Sequence, residues 1–215
     1  MTGIIRPDWP APDNVVAGTT TVLTDAAELP RDLKLLNQVH GATVVSAEAV
    51  RQADRPLDAD AVTGRCRGDL CAVRTADCLP VLFCSRDADE IAAALAGWRG
   101  LAAGVLENTV AALSAAPAHL VAWLGPAISQ ANFEVGSEVR DVFTAHDARA
   151  AECFAQNERG RWQADLYGLA RQRLASCGLR EVYGGQWCTF ADADRFHSYR
   201  RDPECGRMVS FVLLK

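Results

Sequence analysis

The sequence predicts an α+β domain in which helices cover a mixed β-sheet core. Short apolar runs typical of strands recur along the chain, and several are apolar on both faces, which indicates a sheet covered on both sides. Three other segments have helical composition. Strands and helices neither alternate strictly nor separate into blocks. No repeat, low-complexity tract or Gly/Ser linker divides the chain, so we expect one domain over residues 1–215.

The first part of the chain is expected to be loop with a few short strands. Pro, Thr and Asp are frequent in the first 30 positions, around one predicted edge strand at 15–23. Two further strands, at 33–38 and 43–47, flank the segment Val39-His40-Gly41, where the glycine lets the chain bend sharply. This pattern places His40 at the end of a strand.

The centre of the chain is predicted to contain four successive strands, separated by polar turns. These strands are 61–63, 70–75, 79–84 and 91–96. Helices follow at 100–113, from 136 to at least 143, and at 165–177, where Asp165 opens the segment and Gly178 is a stop signal. The last apolar run, 207–214, is predicted to be a strand buried inside a sheet.

Composition and charge exclude several classes of protein. The chain is 49% hydrophobic and 23% charged, as in ordinary globular proteins, and carries a formal charge of -5 without a cluster of Lys or Arg. We therefore expect no nucleic-acid partner. No apolar run approaches the ~20 residues that span a bilayer, and the first nine residues lack the apolar region of a signal peptide. We expect a cytoplasmic protein with no membrane partner.

Cysteine and histidine usage limits the possible metal chemistry. The eight cysteines contain no C-x-x-C pair and are expected to be free thiols, mostly buried. The four histidines include no H-x-H pair and are too few to ligate the several coppers of a true multicopper oxidase. The sequence therefore argues against that enzyme class.

Three short segments place polar or reactive side chains where strands are predicted to end. They are Asn37-Gln38-Val39-His40-Gly41, Thr75-Ala76-Asp77-Cys78-Leu79-Pro80 and Gly97-Trp98-Arg99-Gly100. Loops at the ends of a covered sheet are where functional sites tend to form. Each segment also has a purely structural interpretation: His40 as a hydrogen-bonding loop residue, Cys78 as an inert core thiol, and Arg99 as the partner of a surface acid.

Together with three other motifs, these segments resemble the laccase-domain or YfiH-type family. That family is named for a supposed polyphenol oxidase activity and is associated with purine nucleoside phosphorolysis and with peptidoglycan precursor editing. The additional motifs are Asp58-Ala59-Asp60-Ala61, Trp123-Leu124-Gly125-Pro126-Ala127-Ile128 and Phe196-His197-Ser198-Tyr199-Arg200-Arg201-Asp202. The resemblance covers roughly residues 36–214 and implies an α+β fold like that of the cytotoxic necrotizing factor hydrolases.

The resemblance also implies a zinc site. In such proteins two histidines and a cysteine hold a zinc ion with a water, an arrangement that lowers the pKa of the water toward ~7. The first two ligands fall on His40 and Cys78, but the third falls on Leu95, which cannot bind a metal. We therefore expect zinc binding to be weak or lost. His197 is the better stand-in for the missing ligand, whereas His119 and His146 lie far from the motifs.

Two other departures from the family pattern concern the surroundings of the site. Only 14 residues separate Thr21 from Leu36, so an upstream segment that helps to line the pocket in related proteins has no room here. A Cys-rich stretch usual after the Gly-Pro-Ala-Ile motif reads Ser129-Gln130-Ala131-Asn132 instead. These losses are compatible with a divergent enzyme or with a member that has kept only the fold.

Three functions remain open, and each would use a small-molecule ligand. The first is phosphorolysis of a purine nucleoside with phosphate, with adenosine deamination as a further activity. The second is a hydrolase that edits a cell-wall precursor, with a metal-bound water or with Cys78 as nucleophile and His40 as base. The third is a catalytically silent member that acts by binding or as a scaffold, which Leu95 and the shortened segment before Leu36 favour.

The predicted site residues have two kinds of role. The resemblance assigns catalytic roles to His40, Cys78 and Asp77, and binding of substrate or phosphate to Gln38, Arg99, Tyr199 and Arg200. We expect His40 and Cys78 to approach each other in one pocket. We also expect Arg99 to be partly buried, with its guanidinium pointing into that pocket.

Overall fold

Thirteen short strands supply the framework of the protein, whose computed structural model describes residues 3–215. They are β1 (Ile4–Ile5), β2 (Val15–Thr20), β3 (Val44–Ser46), β4 (Ala61–Gly64), β5 (Leu70–Thr75), β6 (Leu79–Ser85), β7 (Ile91–Ala96), β8 (Leu120–Leu124), β9 (Glu134–Val135), β10 (Phe154–Gln156), β11 (Trp162–Ala164), β12 (Glu181–Gly184) and β13 (Met208–Leu214). They form three sheets. The fold is α+β, as the sequence predicted.

The largest sheet has six strands in the order β12-β8-β6-β7-β4-β3. Its two outer pairs are parallel and its inner pairs antiparallel, so the sheet is mixed as predicted. The strands β6 and β7 are buried along their whole length, because their side chains are apolar on both faces. Strand β6 begins directly after Cys78, and strand β7 ends directly before Gly97.

A second sheet has four antiparallel strands in the order β1-β2-β13-β5. The apolar strand β13 lies between β2 and β5, which confirms the prediction of a buried strand at 207–214. The predicted edge strand at 15–23 is shorter and lies inside the sheet, because Ile4 and Ile5 pair with its outer side. The third sheet is small, with the order β10-β11-β9.

Five α-helices accompany the sheets in the described residues. They are α1 (Ala47–Gln52), α2 (Trp98–Ala102), α3 (Val105–Ala112), α4 (Ser137–His146) and α5 (Leu166–Ser176). The single helix predicted at 100–113 is wrong: Gly104, with φ of 91°, separates α2 from α3. A left-handed residue cannot continue a right-handed helix, so the chain changes direction there.

The six-stranded sheet has a different cover on each face. One face packs against α3, α4 and α5, through a core that includes Phe83, Leu106 and Leu174. The other face packs against the four-stranded sheet, through a core that includes Val73 and Leu95. The predicted helical cover is thus found on the first face, while on this second face one sheet packs on another.

One smaller prediction near the site also needs correction. Residues 33–38 form no strand; only Asn37 makes an isolated bridge, to Asp58. The strand predicted at 43–47 is confirmed as β3. Membrane-spanning helices are absent from residues 3–215, because no helix there combines the length and the apolar character that a crossing requires.

Candidate active site

A cavity of about 870 Å³ opens where the ends of β5, β6 and β7 meet the segments before β13. All of the predicted site residues except His197 line it. These are Gln38, His40, Asp77, Cys78, Leu95, Arg99, Tyr199 and Arg200. Three distant parts of the sequence, at 38–40, 74–99 and 199–207, therefore come together in one place.

His40 is presented to the cavity by a backbone turn that a buried carboxylate holds. Asp60 is fully buried, and its Oδ1 and Oδ2 accept hydrogen bonds from the backbone N–H groups of His40 (2.8 Å) and Gly41 (2.6 Å). His40 has a φ of 59°, a conformation that non-glycine residues seldom adopt. Because hydrogen bonds to a carboxylate are strong, Asp60 stabilises this turn and fixes the position of the imidazole.

Gly97 allows Cys78 and His40 to occupy one corner of the cavity. A Cβ atom at Gly97 would lie 2.7 Å from Cys78 Sγ and 3.6 Å from His40 Cδ2. Both side chains therefore pack against the bare backbone of this glycine. The structure brings the two predicted residues together, while their catalytic roles stay predictions.

This close approach predicts that Gly97→Ala destabilises the protein. The backbone of Gly97 is ordinary, with φ of -63°, so the added methyl group acts only through its contact with Cys78. We expect a loss of about 1–3 kcal/mol in the free energy of unfolding, measured by chemical denaturation. Gly41→Ala is the matched control, since a Cβ there would meet no atom closer than 3.5 Å. Equal losses in the two variants would contradict the steric explanation.

The Cys78 thiol is protonated at neutral pH. Burial raises its pKa, the neighbouring Asp77 adds to the increase, and Arg207 and Arg99 oppose it, with a net pKa of about 11. The thiolate, which is the nucleophilic form, is therefore scarce at pH 7.

Asp77 holds two loops of the cavity wall together. Its Oδ1 accepts a hydrogen bond from the Thr189 hydroxyl (2.6 Å), and its Oδ2 accepts one from the backbone N–H of Arg200 (2.7 Å). Both carboxylate oxygens thus have protein partners. The geometry gives Asp77 a positioning role for the segment that carries Tyr199 and Arg200, and the predicted catalytic role has no separate support from these contacts.

The lining of the cavity is strongly cationic. Four arginines contribute to it, namely Arg74, Arg99, Arg200 and Arg207, whereas Asp77 is the sole carboxylate among the lining residues. In a chain with a net charge of -5, this concentration of positive charge is local. A cleft of this kind attracts anions of the size of a phosphate.

Arg99 differs from its prediction in one respect. It lines the cavity, but it is exposed rather than partly buried. Its guanidinium lies 4.5 Å from the ring centroid of Trp98, a cation–π contact. No carboxylate of residues 3–215 pairs with it.

Four residues that line the cavity with charged or aromatic groups were not among the predicted site residues. These are Arg74, Trp98 as a lining ring, Phe133 and Arg207. One of them had a visible signal: Arg74 is the exposed, charged position in the otherwise buried strand β5. Gln38, which was predicted to bind substrate, instead uses its side-chain amide on the backbone of Arg74, accepting from its N–H (2.8 Å) and donating to its C=O (2.9 Å).

The residues present do not fit the zinc ion that the resemblance implies. Leu95 lines the cavity as predicted, and it is 2% exposed in an apolar wall. Within residues 3–215, no group of three or more His, Cys, Asp or Glu side chains is placed to hold a metal ion. The chain therefore offers His40 and Cys78 without a third ligand.

The proposed stand-in ligand is also displaced from the cavity. His197 is not one of the lining residues; its backbone N–H donates to Met208 Sδ (3.2 Å), and its ring packs against Gly206. The interpretation of His197 as a replacement ligand is thus corrected. His119 ends a short 3₁₀ helix before β8 and His146 ends α4, and neither lines the cavity.

Comparisons with known proteins place this architecture in a family. The model of a family described as multi-copper polyphenol oxidoreductase laccase matches residues 11–215. The chain belongs to this family. A solved structure of this kind, protein NMB0706 of Neisseria meningitidis, is 41% identical over the whole of both chains and superposes with a TM-score of 0.92. The YfiH protein of Bacillus licheniformis has the same fold, with a TM-score of 0.89 at 23% identity over 100% of this chain and 97% of that one.

Curated members of the laccase family include proteins named as phosphorylases. The purine nucleoside phosphorylase YfiH of Escherichia coli is 42% identical, and the purine nucleoside phosphorylase PA4543 of Pseudomonas aeruginosa is 44% identical, each over the full length of both chains. Both alignments run over 245 positions, 30 more than the 215 residues of this chain. Such a difference in length is expected if a segment is missing here, as the short stretch between Thr21 and Leu36 predicts.

Proposed function

We propose that this protein is a purine nucleoside phosphorylase-like enzyme whose cavity takes a nucleoside and inorganic phosphate. The observation that carries the proposal is the composition of the cavity wall, in which four arginines stand against one carboxylate beside the rings of Trp98, Phe133 and Tyr199. Arginine matches the oxygens of phosphate, and flat aromatic rings match a purine. The names of the relatives at 42–44% identity agree with this ligand pair.

In phosphorolysis, an oxygen of phosphate bonds to C1′ of the ribose while the bond between C1′ and N9 of the purine breaks. The electron pair of that bond leaves with the base, which takes up a proton, and the products are ribose 1-phosphate and the free purine. The arginines would neutralise and orient the phosphate. His40 lines the cavity, and its imidazole is the group that would pass this proton to the base. No metal enters this scheme, because the chain lacks a complete ligand set.

The test incubates the protein with inosine or adenosine, in the presence and in the absence of phosphate. Chromatography then measures the purine base that is released. We expect release that requires phosphate and falls at least about 100-fold in His40→Gln. Sulfate in place of phosphate is the control, since it fills an anion site but is a poor nucleophile. Release of base without phosphate would instead indicate a hydrolase.

The second candidate is a protein that binds the same ligands without turnover. Leu95 favours it, since an apolar side chain stands where the family pattern has a metal ligand. Binding of inosine and phosphate by calorimetry, with no base released over hours, would support this candidate against the enzyme. A cell-wall hydrolase that uses Cys78 as nucleophile is less well supported, since the thiol of this half-buried residue is protonated at neutral pH.

A further inference from the structure

Arg74 and Arg207 lie on neighbouring antiparallel strands at the rim of the cavity. Arg74 in β5 pairs with Val209 in β13, and Arg207 immediately precedes β13. Arg207 is thus two residues from the cross-strand partner of Arg74, which makes the two arginines diagonal neighbours on one face of the sheet. Diagonal neighbours of this kind are about 7–8 Å apart, with their Cβ atoms somewhat closer, which is within reach of long side chains.

Two arginines in this arrangement repel each other unless negative charge lies near them. Neither forms an ion pair with a carboxylate anywhere in residues 3–215. Both line the cavity, where the carboxylate of Asp77 is already bonded to Thr189 and to the backbone of Arg200. One carboxylate cannot balance the four arginines of the lining, so the remaining counter-charge must come from solvent or from a ligand.

Both arginines have contacts that leave guanidinium donors free. The amide of Gln38 bonds only to the backbone N–H and C=O of Arg74, and no ion pair within residues 3–215 involves its guanidinium. Arg207 donates from Nη1 to the carbonyls of Cys205 (2.7 Å) and Gly206 (3.0 Å), and its guanidinium lies 5.6 Å from the ring centroid of Tyr199. Its Nε and Nη2 have no hydrogen-bond partner among residues 3–215. Because these contacts already position the Arg207 guanidinium, its free donors lose little freedom on binding an anion.

The other two arginines of the cavity are less suited to this task. Arg200 donates from both Nη1 and Nη2 to the carbonyl of Glu134 (3.2 and 3.3 Å), and its guanidinium stacks 5.5 Å from the ring centroid of Phe133. Arg99 stands alone at the mouth, stacked on Trp98. Neither has a second arginine beside it on the same sheet face.

We infer that Arg74 and Arg207 form a subsite for a dianionic phosphate group. This inference rests on the proposed function, which supplies inorganic phosphate as one source of that group. The phosphate ester of a nucleoside 5′-monophosphate is the other source. Arg74 and Arg207 line the same cavity as Cys78 and His40, so the subsite faces the corner that these two residues share.

The experiment is calorimetric titration of the intact chain with inorganic phosphate and, separately, with inosine 5′-monophosphate and inosine. We expect Arg74→Gln and Arg207→Gln each to weaken phosphate binding about tenfold or more, since each removes charge-assisted hydrogen bonds. Arg55→Gln is the matched control, because Arg55 is exposed between α1 and β4 and lies outside the cavity lining. Thermal unfolding of each variant shows that the fold is retained.

Each outcome bears on the subsite separately from the enzyme activity. Unchanged phosphate binding in the double variant Arg74→Gln/Arg207→Gln overturns the inference. Loss of phosphate binding in Arg99→Gln, while Arg74→Gln and Arg207→Gln keep it, also overturns it. Absence of binding of both phosphate and inosine 5′-monophosphate to the unchanged chain also overturns it. Loss of phosphate binding in the two variants, in a chain that releases no purine, supports the subsite and contradicts the proposed phosphorolysis. If inosine 5′-monophosphate binds more tightly than either inorganic phosphate or inosine, the phosphate group of the subsite comes from a nucleotide ester.

Discussion

Leu95→His is expected to turn a chain with two potential ligands into one that binds a full equivalent of zinc. Leu95 lines the same cavity as His40 and Cys78, so an imidazole there adds a third nitrogen or sulfur donor facing the same space. Zinc sites of three protein ligands and a water are the common open arrangement. Loss of an outer-shell partner alone costs 10- to 100-fold in metal affinity, so restoring a direct ligand should tighten zinc binding by at least about 100-fold.

Metal analysis of protein purified without chelator, followed by competition with a zinc indicator, measures this effect. Leu95→Gln is the control for added polarity without an imidazole, and Cys78→Ser in the Leu95→His background should remove the gain. A full equivalent of tightly bound zinc in the unchanged protein would show that the third ligand has been assigned wrongly. Zinc binding by Leu95→His without phosphorolysis would identify the shortened segment before Leu36 as the limiting loss.

Asp60→Asn is expected to lower stability and to disturb the His40 turn. The amide group keeps the shape of the carboxylate but replaces one acceptor oxygen with an NH₂ that faces a backbone N–H of His40 or Gly41. Since Asp60 is fully buried, water cannot replace the lost bond. We expect the free energy of unfolding to fall by about 3 kcal/mol, measured by chemical denaturation.

Asp58→Asn supplies the comparison. Asp58 is exposed two positions earlier, and its Oδ1 accepts a hydrogen bond from the Asn37 side chain, so its replacement should change the free energy of unfolding by no more than about 0.5 kcal/mol. Ligand binding gives a second measure, since a displaced His40 should weaken inosine binding in Asp60→Asn alone. Equal stability of the two variants would contradict the role assigned to the buried carboxylate.

The sequence predicted those parts of the fold in which local pattern and burial agree. The predicted bounds of strands β5 and β7 match the structure to the residue. A short apolar run between polar turns is typical of a strand that is buried in a covered sheet. The segment 33–38 has a similar composition but no neighbouring strand to pair with along its length, and it remains irregular. Pairing depends on the rest of the chain, so composition could not decide it.

The candidate site was predictable where polar residues interrupt strand ends, and only there. His40, Cys78 and Arg99 stood out because an imidazole, a thiol and a guanidinium break apolar surroundings. Arg207 was not found, because its relation to Arg74 depends on the register between β13 and β5, which are more than 130 positions apart in the chain. The positioning role of Asp60 was not predicted for the same reason. Its carboxylate accepts hydrogen bonds from the backbone of His40 and Gly41, which lie about 20 residues earlier in the chain.

The place of β13 between β2 and β5 makes completion of the protein a late event in folding. The side chains of Thr19 and Ser210, 191 residues apart in sequence, share a hydrogen bond of 2.7 Å across this pairing. Contacts of such separation form slowly, because the chain must first close a very long loop. Until β13 docks, both of its neighbours expose an unpaired edge, and Arg207 is not beside Arg74. A ligand of the cavity can therefore bind only the finished fold, and it should protect the chain against proteases that attack the open form.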